Sequence, residues 1–176
     1  MHYRLSNTLL PDLDHPHTTP KGLVKGYSEL ANGTLQLAES TPDTFQLSAG
    51  GVIATAEDLV KWNEILHNGK LLSDSTYRRM VTASARRAHR WGELGYGYGV
   101  QVGYRQGVPE ISHNGNTPGF ISTLIYYPES RTSIVVLENV AWDASDLGRV
   151  FYFHDHIRNL VPLLPGPKAT RENSLK

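Results

Sequence analysis

The 176-residue sequence contains no cysteine, which excludes disulfides, thiolate metal sites and cysteine nucleophiles together and leaves the redox compartment open. It has no run of 18 or more apolar residues, so it offers no helix of membrane-spanning length. The opening MHYRLSNTLLPDLDHPHTTP also lacks the apolar stretch of a secretory signal. Neither sign of charge dominates, with 17 Lys and Arg against 17 Asp and Glu. No electrostatic footprint for nucleic acid or an anionic membrane follows from that balance. Gly50-Gly51 is followed by neither Lys-Ser nor Lys-Thr, and there is no Gly-x-Ser-x-Gly elbow, which removes a phosphate cradle and one common nucleophile arrangement. What remains is an ordinary composition, 39% hydrophobic and 19% charged. A chain of this length suits one domain able to bury roughly 70% of its unfolded surface.

The first twenty residues hold three Pro and three His without a period and read as an irregular arm. From Lys21 the chain reads as one lobe, 21–163, followed by a polar tail, 164–176. Two short runs around Asn32-Gly33 predict a hairpin over 23–38, because both turn positions tolerate positive φ. Thr55 before Glu57 and Asp58, with Asn68-Gly69 at the far end, brackets a helix over 55–67. Its apolar stripe is Ala56, Leu59, Val60, Asn63 and Leu66, with Trp62 at the edge and Ile65 on the opposite side. Ser73 caps a second helix over 74–83, and SARRAHRWGE (84–93) reads as a basic exposed loop.

From Tyr96 the period shortens towards two. YGYGVQVGY, a Gly-Val-Pro turn and PEISH lead into FISTLIYY (120–127), which is apolar on both faces and so covered on both, and then TSIVVLEN (132–139). Together these predict a three-stranded antiparallel meander. A helix over 145–161, capped near Asp143 or Ser145 and stopped by Pro162, carries Leu147, Val150, Phe151, His154, Ile157 and Val161 on one face and lies across the meander.

The candidate site is SHNGNTPG (112–119), a polar, turn-prone cluster between two strands. Four motifs stand in order around it: Ala49-Gly50-Gly51 with Thr55 and Asp58, the Gly-rich Tyr96-Gly97-Tyr98-Gly99, His113-Asn114-Gly115 followed by Thr117-Pro118-Gly119-Phe120, and a strand ending at Asn139. In this order, over about residues 20–163, they resemble the C-terminal half of the class C β-lactamase and penicillin-binding-protein family of serine hydrolases. The resemblance implies an α/β (α+β) lobe: an antiparallel β-sheet of four to five strands flanked by helices, the C-terminal part of the β-lactamase/transpeptidase-like fold, without its helical lobe. It also implies that His113 orients substrate or joins the site's hydrogen-bond network. The backbone N–H of Asn116 would be one of two oxyanion donors, with Asn114, Gly115 and Thr117 along the substrate and Tyr98 at the rim. It calls for no metal and no cofactor.

The family's nucleophile and base are missing. None of the six Lys has Ser three places before it, and none of the nine Tyr has Asn two places after it, so Ser-x-x-Lys and Tyr-x-Asn are both absent. Met1 and Thr8 match the Met and Thr that follow those elements in the family, which makes the chain read as a fragment started at an internal Met. The isolated chain is then expected to be inactive, with its helical-lobe side exposed as an apolar patch. Two other readings stand beside it: a nucleophile-free binding or regulatory module, and one half of a split enzyme whose partner chain carries Ser-x-x-Lys.

Other histidines carry less. His154 sits on the apolar stripe of the last helix and reads as a hydrogen-bonded core residue. His15-Pro-His17 and His154-Asp-His156 are poor metal pairs, since i,i+2 positions on a helix point apart. Tyr96 and Tyr98 read first as strand residues, and ARRAHR (85–90) as solvated charge.

Overall fold

The computed structural model of the chain describes residues 4–10, 22–30, 32–38, 47–69, 71–143 and 145–161. The tail expected over 164–176, His15, His17 and most of the N-terminal arm lie outside them.

Asn32 and Gly33 turn β1 (Tyr27–Glu29) into β2 (Leu35–Leu37), as the hairpin signal predicts. Gly33 has φ +80, and the Asn32 side chain accepts from the backbone and hydroxyl of Thr34 at 3.0 and 2.7 Å. A short helix, α1 (Leu47–Gly50), leads to α2 (Ala56–His67), where the Thr55 hydroxyl accepts from the N–H of Asp58 at the start and Asn68 ends the helix before Gly69 at φ +69. Ser73 likewise caps α3 (Asp74–Val81) by accepting from Thr76.

The face that α2 buries differs from the expected stripe. Asp58, Asn63, Ile65 and Leu66 are buried, whereas Val60 is 42% exposed. The reason is polar. Asp58 accepts from Asn7 N–H at 2.7 Å, Thr8 hydroxyl at 3.1 Å and Lys61 at 3.2 Å, and Asn63 donates to the carbonyl of Ile125 at 3.2 Å, so two hydrogen-bonding side chains turn inward and carry Ile65 with them. The N–H of Asn7 is the main influence holding Asp58 below the usual carboxylate range, against its burial. A bridge between Leu9 and Ile53 ties the same N-terminal segment to the approach to α2.

The main sheet is larger than the expected meander. Six strands lie in chain order: β3 (Ala85–His89), β4 (Gly92–Tyr96), β5 (Gln101–Arg105), β6 (Val108–Thr117), β7 (Phe120–Tyr127) and β8 (Thr132–Glu138), each antiparallel to the next. The segment 84–93, expected as a loop, instead forms β3, a two-residue turn and the start of β4. Arg86 and Arg87 stand on this edge strand, where charge discourages pairing with other chains. A second sheet joins β2 and β1 to β9 (Val140–Ala141), which runs parallel to β1.

Along β7, Ile121, Thr123, Ile125 and Tyr127 are each at most 1% exposed, and Tyr126 on the alternate face is 3% exposed. The strand is covered on both sides, as its apolar content requires. One cover is α2, whose His67 stacks on Tyr126 with centroids 4.3 Å apart. The other is the C-terminal helix, which is broken into α4 (Leu147–Val150) and α5 (Tyr152–Leu160), with its cap at Asp146. Phe151, at φ −110 and ψ 19, interrupts it.

Val150 and Phe151 pack on Ile121, while Val161 reaches Ile125, Tyr127 and Ile134. Leu147 and Ile157, expected in the buried stripe, are exposed, and Arg158 is buried instead. Arg158 turns inward because Glu110, 3% exposed on β6, accepts from its Nε at 2.9 Å and Nη2 at 3.2 Å. Tyr152, Phe153, Ile157 and Leu160 are left facing outward, 39% to 75% exposed.

Candidate active site

Strand β6 is ten residues long, but β5 pairs only with Val108 to Ser112, while β7 continues as far as Thr117. Among the described residues, 113–117 therefore have one open strand edge, and the expected site residues His113, Asn114, Gly115, Asn116 and Thr117 all stand on it. Pro118 and Gly119, the latter at φ +82, close the turn into β7 in the pattern of a type II turn. A Cβ on Gly119 would lie 2.9 Å from the Cα of Gly26. The absence of side chains at both positions lets the hairpin sheet sit against this end of β6.

His113 is half-buried and fixed at both ring nitrogens. Its Nδ1 lies 2.9 Å from the carbonyl of Asn114, which can only accept, so Nδ1 carries the hydrogen. Nε2 then accepts from the Tyr96 hydroxyl at 2.8 Å. The rings meet edge to face, with centroids 5.8 Å apart. Sequence reasoning gave Tyr96 no such part. The only signal was its place beside the Gly-rich turn, where Gly97 leaves room for the carbonyl of Met80. Tyr98, expected at the rim, lies in that turn and is 64% exposed; its N–H donates to Met80.

Gly115 has a plain reason to be glycine, since a Cβ there would come within 2.5 Å of the Ser122 hydroxyl across on β7. Asn116 is exposed and registers with Ile121. The Asn114 side chain leaves the edge for the α5 side of the sheet, where its amide lies 2.9 Å from both His89 Nε2 and Thr123 Oγ1. Thr123 in turn is 2.8 Å from Nδ1 of His154.

His154 is fully buried, as expected of a core histidine, and desolvation is the main cause that lowers its pKa, with Glu138 opposing. Burial also lowers His89 to about 4, with Arg90 and Arg87 adding to it. Arg90, expected in solvent, lies on the ring of Phe151 at 3.9 Å and is bidentate to Asp155. Tyr96 and His113 are thus a fixed pair next to the open edge. Acyl transfer needs in addition an activated nucleophile, which none of these residues is.

An antiparallel sheet flanked by helices is the arrangement of the β-lactamase/transpeptidase-like fold. The profile of the Beta-lactamase family matches residues 6–153, and the chain belongs to that family.

Solved structures similar to it include a D-stereospecific amidohydrolase from Streptomyces sp., with 22% identity and a TM-score of 0.66 over 77% of this chain and 40% of that one. A penicillin binding protein from Bacillus halodurans has 24% identity and a TM-score of 0.62 over 85% and 44%. A D-amino acid amidase from Ochrobactrum anthropi SV3, complexed with L-phenylalanine, has 16% identity and a TM-score of 0.68 over 87% and 47%. The chain thus spans less than half the length of these structures, and at such identities the likeness is one of fold. No curated protein matches the chain.

Proposed function

We propose that this chain is the sheet-bearing portion of a serine acyl hydrolase acting on amides or peptides of D-amino acids, β-lactams or esters, and that alone it is inactive. The observation that supports this reading is the open edge of β6 carrying His113-Asn114-Gly115, with Tyr96 tying the imidazole in place. A substrate lies along that edge between Asn114, Gly115 and Thr117, with Tyr98 at the rim. The serine oxygen of a completing segment attacks the carbonyl carbon, and the Asn116 N–H is one of two donors to the oxyanion. Such a donor contributes on the order of 3 kcal/mol. The base of that segment takes the serine proton and delivers it to the leaving nitrogen or oxygen as its bond to the carbonyl carbon breaks (in a β-lactam the ring opens and the nitrogen stays attached), and water then releases the acid and regenerates the serine. His113 orients the substrate and is not the nucleophile.

The nucleophile and its base come from a Ser-x-x-Lys and a Tyr-x-Asn that this sequence lacks. The outward face of α5 fits a covering segment, whether from a longer chain or from the partner chain of a split enzyme. Tyr152, Phe153, Ile157 and Leu160 make that helix apolar on the side away from the sheet, as expected of a helix covered on both sides. A nucleophile-free binding module remains the alternative.

The test is covalent labelling of the purified chain with a fluorescent β-lactam and a fluorophosphonate, read by intact mass. No adduct is expected. A stoichiometric adduct would mean that a serine of this chain is activated, with His113 the first base to examine, and would overturn the reading. An in-frame Ser-x-x-Lys and Tyr-x-Asn upstream of Met1 would separate a fragment from a split enzyme or a module.

A further inference from the structure

His89, Asn114, Thr123, His154 and Glu138 form a continuous line of polar side chains through the α5 side of the sheet. It draws on four strands and the helix. At one end the N–H of Trp91 is 3.2 Å from His89 Nδ1. At the other, His154 Nε2 is 3.4 Å from the Glu138 carboxylate without the alignment of a hydrogen bond, and it has no other partner among the described residues. Glu138 also accepts from Trp142 Nε1 at 2.8 Å.

The direction of the hydrogens follows from the two ends. A backbone N–H can only donate, so Nδ1 of His89 accepts and its hydrogen is on Nε2. That hydrogen needs an acceptor, which is the Asn114 amide oxygen. The Asn114 NH2 is then left for Thr123 Oγ1, the Thr123 hydroxyl donates to His154 Nδ1, and His154 Nε2–H points at Glu138. The amide is turned end for end relative to the arrangement with Oδ1 on Thr123; the two fit the same shape, and the network chooses between them.

The opposite direction leaves two conflicts. The Trp91 N–H would meet a protonated Nδ1 of His89, and a bare Nε2 of His154 would face a carboxylate. The direction adopted leaves one, Arg90 Nη1 at 3.2 Å from His89 Nε2. The charges around His154 are Glu138 on β8, Arg90 in the β3–β4 turn and Asp155 on α5.

We propose that Thr123, His154 and Glu138 are positioning residues of the candidate site: a one-way hydrogen-bond chain from the Trp91 N–H to His154, whose Nε2–H faces the Glu138 carboxylate, fixes the Asn114 amide and so holds the open edge of β6. The inference rests on the proposed function only in treating that edge as the site.

The experiment uses the intact chain and imidazole 15N NMR, with His67 as internal control because it belongs to a separate cluster with Tyr77 and Tyr126. At pH 7, His89 and His154 should both be the Nε2–H tautomer. Thr123→Val should move the His89 titration midpoint by about half a pH unit or more and leave His67 unchanged, and Thr123→Ser should restore it. An Nδ1–H tautomer at His154, or a His89 midpoint indifferent to Thr123→Val, would overturn the proposal. The tautomers of the unsubstituted chain decide it even where Thr123→Val fails to fold. No catalysis enters the readout, so a covalent adduct in the labelling experiment would refute the proposed function and leave this result standing.

Discussion

Replacing Arg158 by Met removes the guanidinium that holds α5 to the sheet and leaves Glu110 charged and enclosed. Glu110 would keep one donor, the Tyr127 hydroxyl at 2.6 Å. Breaking a buried pair from one side costs about 3–5 kcal/mol, because the remaining ion has lost both its partner and its water. For a chain of this size that is a fall of roughly 6–20 °C in Tm. Loss of the Arg158 contact to the Trp91 ring, 4.0 Å from the centroid, adds to it. Glu110→Leu with Arg158→Met removes both charges and should cost only about 0–2 kcal/mol. The cycle is read by urea unfolding followed by circular dichroism and tryptophan fluorescence. Arg86→Met serves as control, since its pair with Glu93 is exposed on both sides and contributes about 0–1 kcal/mol. An Arg158→Met cost below about 1 kcal/mol, or a double variant equal to the sum of the singles, would show that this ion pair is solvated and that α5 does not dock as described.

Gly115→Ala should destabilise by about 1–3 kcal/mol through overlap with the Ser122 hydroxyl, and Ser122→Gly should recover most of it; full stability of the single variant in urea would refute the close cross-strand approach. Stability should also fall with pH in two stages. Burial is the largest cause lowering His67, His89 and His154 below the ordinary 6.5, the first two to about 4. The unfolded chain therefore takes up protons before the native one does, and stability is lost as pH falls from about 6.5 to 4. Asp58 is lowered too, by the Asn7 N–H first, but for a carboxylate a lowered pKa favours the charged form, so its contribution is present above 3.8 and is lost as pH falls below it. A urea midpoint constant from pH 7 to 4.5 would contradict the first stage, and His67→Phe should flatten part of that slope.

How much of this was legible depends on how local the cause is. Asn32-Gly33, Thr55 and Ser73 act within four residues of themselves, and each hairpin or cap stands where its sequence signal put it. The apolar content of 120–127 likewise predicted a strand covered on both faces. The cluster 113–117 was singled out by residue type and by family resemblance, and it stands together on one strand because it is contiguous.

Most of the errors have distant causes. Asp58 turns α2 because the backbone of Asn7, 51 residues away, supplies its donor. ARRAHR became a strand and a turn because β4 pairs with it and Asp155 receives Arg90. Arg158 displaced Ile157 from the buried face because Glu110 was already enclosed on β6. On α2 and α5 a polar group is buried against a partner far along the chain, and hydrophobic periodicity carries no record of such a pairing; β3 pairs locally, but it is exposed and polar and so shows no apolar alternation. The sequence by itself determined the Asn32-Gly33 turn, the caps at Thr55 and Ser73, the strand-forming core and the absence of Ser-x-x-Lys and Tyr-x-Asn. Only the tertiary structure decided which charges are inside, that β5 leaves half of β6 open, and that Tyr96, not Tyr98, holds His113, because those depend on register and on contacts between residues that no local pattern connects.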